Sequence, residues 1–255
     1  MTFSLSNRRT IPSGTKSIYN IFTKNYTMAA LFKIGHRGAK GHAPENTMAS
    51  FAKALELGVD GIELDVHVCA TGELVVIHDF TVDRVTNGTG EVHKLSLAQL
   101  KALTIERDQY IPTLDEVYDL ISKRCFINIE LKGRHTAIPV SDFINTYVKE
   151  KGYEYADFLV SSFQREELQV MSEVNPNVHL GVLTQASVTQ AWQWAMEFKA
   201  KAIHPHFTLL TESNVHKAQQ AGLKVYTWTM NEPEDIARIK TYNVDGIISD
   251  YPELL

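Results

Sequence analysis

Eight short apolar runs punctuate this chain, and each but the last is followed by a helical pattern. They fall at residues 31–34, 61–68, 126–131, 158–161, 179–183, 202–204, 223–228 and 245–248. Strand–helix alternation of this kind builds a parallel sheet, because a parallel neighbour needs a crossover that a helix supplies. Eight units are the number that closes such a sheet, so the expected fold class is α/β, a parallel (β/α)8 TIM barrel. An open doubly wound sheet would leave every unit unclosed, and no Gly-x-Gly-x-x-Gly turn is present to mark one. At 255 residues and 44% hydrophobic composition, the chain can bury one core of that size.

Period two fixes which side chains line the barrel. In residues 61–68, Ile62, Leu64, Val66 and Val68 share one face, while Glu63, Asp65 and His67 share the other. The apolar face suits packing beneath helices, so the acids point into the barrel mouth. In residues 126–131 and just beyond, Ile127, Ile129 and Leu131 lie opposite Asn128, Glu130 and Lys132, and the same reasoning points Glu130 and Lys132 inward. The first helix is expected after Pro44, with Asn46 as N-cap, Met48, Phe51, Ala52 and Leu55 as its buried stripe, and Gly58 as its stop. A later helix opens with a Thr113/Glu116 capping box and buries Leu114, Val117, Tyr118 and Ile121.

Residues 79–112 break the rhythm with a turn at 86–90 and a short helix capped by Ser96, with Gln99 three residues on. They read as a small cap inserted after strand two. Residues 1–30 carry Arg8, Arg9, Lys16 and Lys24 without an acid, and read as a poorly ordered extension before a barrel spanning 31–255. Arg8-Arg9 invites a twin-arginine export reading, but residues 11–15 supply no apolar run behind it. The net charge of −5 gives no basic footprint for nucleic acid. No run reaches the ~18–20 apolar residues of a membrane span. Cys69 and Cys125 lack metal-type spacing and read as buried, reduced thiols. The expectation is a cytoplasmic protein that handles a small molecule; nothing in the residues sets an oligomeric state.

In a closed barrel, chemistry sits at the C-terminal ends of the strands. His36, Glu63, Asp65, His78 and Glu130 all fall at or just past such ends. Three convergent carboxylates repel one another and call for a positive charge among them. Oxygen donors without a cysteine or a histidine pair favour Mg²⁺ or Ca²⁺ over Zn²⁺. The competing reading is a plain salt-bridge cluster with Arg37 and Lys132. Beside a cation those two side chains make a place for phosphate. His36 and His78 titrate near neutral pH and can divide acid and base roles across one phosphorus.

Other signals are set aside. His204-Pro205-His206 reads as rim residues, Asn231 as a helix N-cap, and Glu154, Glu166, Glu167 and Lys217 as solvated helix faces. Asp79 and Asp250 are strand-end acids that orient their neighbours, and stay outside the site.

Taken together, His36-Arg37-Gly38, Pro44-Glu45-Asn46-Thr47, Glu63-Leu64-Asp65 and His78-Asp79 resemble the signature of the glycerophosphodiester phosphodiesterases. The resemblance continues through Asn128-Ile129-Glu130-Leu131-Lys132 and Ser161-Ser162-Phe163. It ends with Tyr226-Thr227-Trp228-Thr229-Met230-Asn231 and Gly246-Ile247-Ile248-Ser249-Asp250, and covers about residues 33 to 252. It implies metal-dependent hydrolysis of glycerophosphodiesters such as glycerophosphocholine or glycerophosphoethanolamine, giving sn-glycerol 3-phosphate and an alcohol. By position, Glu63, Asp65 and Glu130 match the metal ligands, His36 and His78 the acid/base pair, and Arg37 and Lys132 the phosphate-side cations. Glu45 is implied as polar support near the metal, and Trp228 and Phe163 as apolar walls of the substrate site. Two other readings keep the barrel: a lysophospholipase D-type activity on lysolipids, and a catalytically silent barrel that binds phosphorylated ligands.

Overall fold

Strands β1 (Phe32–His36) and β2 (Gly61–Val68) lie parallel, with helix α1 (Met48–Glu56) crossing between them. This unit repeats around the computed structural model, which describes residues 31–255; the expectation for residues 1–30 lies outside them. The remaining staves are β4 (Phe126–Leu131), β5 (Phe158–Ser162), β6 (His179–Thr184), β7 (Ala202–Pro205), β8 (Lys224–Thr227) and β9 (Gly246–Ser249). Every neighbouring pair among them is parallel, and β9 pairs with β1, which pairs with β2. The sheet is therefore closed: an eight-stranded (β/α)8 barrel. Helices α3 (Leu114–Ile121), α4 (Ala137–Glu150), α5 (Arg165–Val174), α6 (Val188–Glu197), α7 (Glu212–Gln220) and α8 (Pro233–Lys240) wrap the outside.

The alternation in β2 and β4 decides what the barrel holds. Ile62, Leu64, Val66, Ile127, Ile129 and Leu131 are buried in the layer between strands and helices. Each such side chain contributes about 1.5–3 kcal/mol by leaving water. With that face committed, Glu63, Asp65, Asn128 and Glu130 must turn inward. Ile34, Phe126, Leu159, Tyr226 and Ile248 form a second apolar cluster inside the barrel and give the site a floor.

A ninth strand, β3 (Leu74–Val76), lies outside the barrel and runs antiparallel to β2. It returns the chain beside Asp65, whose carbonyl accepts the Ile77 amide at 3.1 Å. Residues 79–112 pack on this hairpin through Val82, Val92, Leu100, Ile105 and Ile111, which meet Cys69, Val75 and Ile77 in a separate apolar cluster. The segment contains one α-helix, α2 (Leu97–Lys101), with its Ser96/Gln99 capping box formed, between two single turns of 3-10 helix. Among the described residues no helix is long and apolar enough to cross a membrane.

Local expectations hold where packing and capping agree. The Thr113/Glu116 box forms, and α3 buries Leu114, Val117, Tyr118 and Ile121. Helix α1 departs from expectation. Thr47 is its N-cap, accepting from the Ser50 amide at 3.3 Å, and the buried face is Ser50, Phe51 and Ala54, with Ala52 exposed. The cause is the turn after β1: Ser50 Oγ donates to the Arg37 carbonyl at 2.7 Å, which draws that side of the helix inward. Glu167 is buried rather than solvated. It accepts from the His135 and Ala137 amides at 2.6 and 2.8 Å, satisfying donors at the start of α4. His204 is not a rim residue. It is fully buried inside the barrel, in space that only a glycine at 181 leaves open: a Cβ there would stand 2.5 Å from His204 Nε2.

Candidate active site

The β1–α1 turn presents the first functional groups. Arg37 takes a left-handed φ of 50° and Gly38 one of 84°. At Gly38 no side chain fits, since a Cβ would lie 2.8 Å from the Ser50 carbonyl oxygen. This tight turn aims the Arg37 amide at Glu63 Oε2, 3.0 Å away. His36, at the end of β1, has its Nδ1 2.6 Å from Asp250 Oδ1 and its Nε2 4.0 Å from Glu63 Oε2. Asp250 is in turn fixed by Asn231, whose side chain donates to Oδ2 at 2.9 Å and accepts the Asp250 amide at 3.0 Å. Asn231 is thus no N-cap; Glu232 holds that position ahead of α8.

The second imidazole arrives by a different route. His78 follows β3, so it reaches the mouth on an antiparallel return strand rather than from the end of a barrel stave. Its Nδ1 lies 2.7 Å from Asp79 Oδ1. A carboxylate on Nδ1 fixes that nitrogen as the protonated one and leaves Nε2 for chemistry. Burial lowers both imidazoles below their ordinary value; opposing it are the hydrogen bond to Asp250 at His36, and the Asp65 charge and the hydrogen bond to Asp79 at His78.

Glu63, Asp65 and Glu130 are all buried, and each offers an oxygen within 4.8 Å of the others. Burial, then the Asp65 charge, pushes the Glu130 carboxyl up to about 7. Glu63 is raised well above its usual range by burial and by both neighbouring acids. Asp65 is opposite in sign: burial raises it, but Arg37, Lys132 and His78 outweigh that, and the Asn46 side chain donates to it at 2.9 Å. Lys132 Nζ sits 2.7 Å from Glu130 and 3.6 Å from Asp65, and Arg37 Nε lies 3.3 Å from Asp65. Two cations therefore face three acids. The buried Asp65 Oδ1 still accepts no hydrogen bond. That incompletely compensated donor set, all carboxylate oxygen, fits a hard divalent cation.

A cavity of about 350 Å³ opens above these groups, a size suited to a small ligand. His36, Arg37, Glu63, His78, Glu130 and Lys132 form its polar side; Phe163, Leu183, Trp228 and Ile248 form an apolar one. Phe163 and Trp228 meet edge to face at 5.5 Å. Of the expected set, Asp65 lies beneath the lining. Glu45 lies beside it, gripping Arg37 Nη1 at 2.8 Å. Sequence reasoning passed over Asn128, which lines the cavity with both amide atoms unpartnered. It also left out Asp250. The signal was present, since closing the barrel puts the end of the last strand beside His36, with Ser249 in register with Gly35.

A closed parallel barrel whose mouth gathers oriented imidazoles, buried acids and cations around a small cavity has the groups that hydrolysis of an anionic ester can use. Residues 36–254 match the model of the glycerophosphoryl diester phosphodiesterase family. A glycerophosphodiester phosphodiesterase of Caldanaerobacter subterraneus is 38% identical over 87% of this chain and 95% of its own length. One from Bacillus altitudinis is 36% identical over 86% and 94% respectively. A solved Oleispira antarctica phosphodiesterase, in complex with the product sn-glycerol-3-phosphate, superposes with a TM-score of 0.80 at 27% identity, covering 89% of this chain and 96% of that one. The glycerophosphodiester phosphodiesterase of Agrobacterium tumefaciens gives 0.77 at 29%, covering 88% and 98%. The chain belongs to the glycerophosphodiester phosphodiesterase family, and its activity is that of a phosphoric diester hydrolase.

Proposed function

We propose that this enzyme hydrolyses small glycerophosphodiesters, such as glycerophosphocholine and glycerophosphoethanolamine, to sn-glycerol 3-phosphate and the free alcohol, with His36 and His78 as its acid/base pair. The observation that carries the reading is the pairing of each imidazole with its own carboxylate at the edge of one cavity. One unprotonated Nε2 takes the proton from the attacking oxygen, while the other histidine, as its imidazolium, gives an Nε2 proton to the departing alcohol. Where the attacking oxygen is water, this gives glycerol 3-phosphate directly; where it is the substrate's own 2-hydroxyl, it gives a cyclic phosphate that water opens in a second step with the two histidines exchanging roles. Arg37 and Lys132 face the non-bridging phosphate oxygens, where negative charge grows as the phosphorus becomes five-coordinate. Asn128, with its amide unpartnered in the lining, is left to meet a hydroxyl or phosphate oxygen. Phe163 and Trp228 shelter the reaction on the apolar side. Glu63, Asp65 and Glu130 would hold Mg²⁺ or Ca²⁺, which when bound neutralises the acids and draws charge from the phosphate. Glu45 supports this set by holding the Arg37 guanidinium.

A cytoplasmic location belongs to the same reading and is supported by two buried, free thiols, Cys69 and Cys125. The test is a turnover panel across choline, ethanolamine, glycerol and lysolipid diesters, with and without a chelator, reading release of glycerol 3-phosphate. Turnover of the small diesters that stops with chelator and returns with Mg²⁺ or Ca²⁺ is expected. Turnover of lysolipid alone would replace this reading with the lysophospholipase D one.

A further inference from the structure

Arg84 comes from the cap and does not line the cavity, and its side chain is half exposed. Its guanidinium nonetheless closes a bracket across the mouth. Nε and Nη2 donate to Asp79 Oδ2 and Oδ1 at 2.6 and 3.1 Å. Nη2 and Nη1 donate to Glu45 Oε1 and Oε2 at 2.6 and 3.2 Å. Both carboxylates have a second partner in the site. Asp79 Oδ1 holds His78 Nδ1 at 2.7 Å, and Glu45 Oε1 holds Arg37 Nη1 at 2.8 Å. One cap side chain thus joins an imidazole delivered by the β2–β3 hairpin to a guanidinium delivered by the β1–α1 turn.

We propose that Arg84 is a positioning residue for the hydrolysis: it locks the Asp79 and Glu45 carboxylates so that His78 and Arg37 meet the same phosphate in a fixed relation. The proposal rests on the functional reading of His78 and Arg37 given above. Its physical basis is the planar fork of arginine, which grips two carboxylates at set angles as a lysine ammonium cannot. With Asp79 free to rotate, the tautomer and direction of His78 are no longer fixed. With Glu45 released, Arg37 swings toward the acids it already touches. The Arg84 hydrogen bond is also the largest influence holding the Asp79 carboxyl down to about 2, so Asp79 stays an acceptor for His78 throughout the working pH range. An ion pair this exposed adds little to the stability of the fold, which leaves site geometry as the place where its loss is felt.

The experiment compares kcat and KM for Arg84→Ala and Arg84→Lys with Asp79→Asn, Glu45→Gln and the combined variants, with His78→Ala alongside and thermal melts as a check on folding. Arg84→Ala is expected to lower kcat by about 10–100-fold, the usual cost of removing a group that orients a functional side chain, with KM nearly unchanged. Arg84→Lys should recover only part of this, and free guanidinium should rescue Arg84→Ala. In the Asp79→Asn/Glu45→Gln background, which keeps one acceptor oxygen at each position but loses the charge and the two-oxygen grip, Arg84→Ala should cost clearly less than in the parent. A kcat within about twofold of the parent, or an equal loss in both backgrounds, would overturn the positioning role. So would a KM effect that depends on the head group, since that marks direct contact with substrate. If Arg84→Ala does not fold, Arg84→Lys and Arg84→Gln carry the same comparison. Near-normal turnover by His78→Ala would instead overturn the acid/base reading itself, and loss in His78→Ala beside a silent Arg84→Ala would overturn only this inference.

Discussion

His36 Nδ1 and Asp250 Oδ1 stand 2.6 Å apart although 214 positions separate them in the chain. They meet because β9 closes the barrel against β1, and the carboxylate then fixes the imidazole with Nε2 toward Glu63. Asp250→Asn keeps the shape and removes the charge, so the histidine can take either tautomer. We expect kcat to fall by about 10–100-fold with KM little changed. Steady-state kinetics check this; an unchanged kcat would mean that the pair is structural only.

Removing the cation should silence the enzyme without unfolding it. Arg37 and Lys132 already contact the acids, so the three carboxylates are partly compensated even when no metal is present. A chelator is therefore expected to abolish turnover while circular dichroism stays native, and Mg²⁺ or Ca²⁺ should restore it. Glu130→Gln should weaken metal binding, measured by calorimetry, by more than tenfold. Full turnover after exhaustive chelation would leave the acids as a salt-bridge cluster.

Much of this site was legible because strand periodicity is a strong constraint. Once Ile62 and Leu64 are claimed by the helix layer, Glu63 and Asp65 have only the barrel interior left, and the same holds for Glu130. What periodicity does not carry is which loops meet. Asn46 could cap a helix or bond a carboxylate; it takes a φ of 56° and bonds Asp65, because Thr47 is better placed to cap. His78 was placed at a strand end, but the antiparallel return of β3 is a pairing choice that a three-residue strand does not announce. Arg84 looked like any charged residue in a turn-rich insertion; its role follows from two carboxylates 39 and 5 positions away.

The apolar wall should govern binding more than chemistry. Phe163 and Trp228 meet edge to face, and the Trp228 indole N–H is anchored on the His204 carbonyl at 2.7 Å, so the wall is set before substrate arrives. Phe163→Ala removes contact that ground state and transition state share. At about 1–2 kcal/mol for a partly buried ring, KM should rise about 5–30-fold while kcat holds. An equal fall in kcat would place Phe163 against the reacting atoms instead.

Acid sensitivity should trace in part to His204. Its ring is fully buried inside the barrel, neither nitrogen has a partner, and burial alone lowers its pKa from 6.5 to about 3. Between those values the unfolded chain binds a proton that the folded chain refuses. The stabilisation is thus complete above pH 6.5 and shrinks by about 1.4 kcal/mol per pH unit on the way down. His204→Leu deletes this one contribution and leaves the carboxylates as they were. Urea unfolding at pH 7.5 and 4.5 should therefore show the parent losing about 2–3 kcal/mol more than the variant over that interval. Whatever the substitution costs in packing enters at both pH values and cancels in the comparison. Parallel losses in the two proteins would mean that His204 takes up its proton while still folded, which requires water inside the barrel beside Gly181.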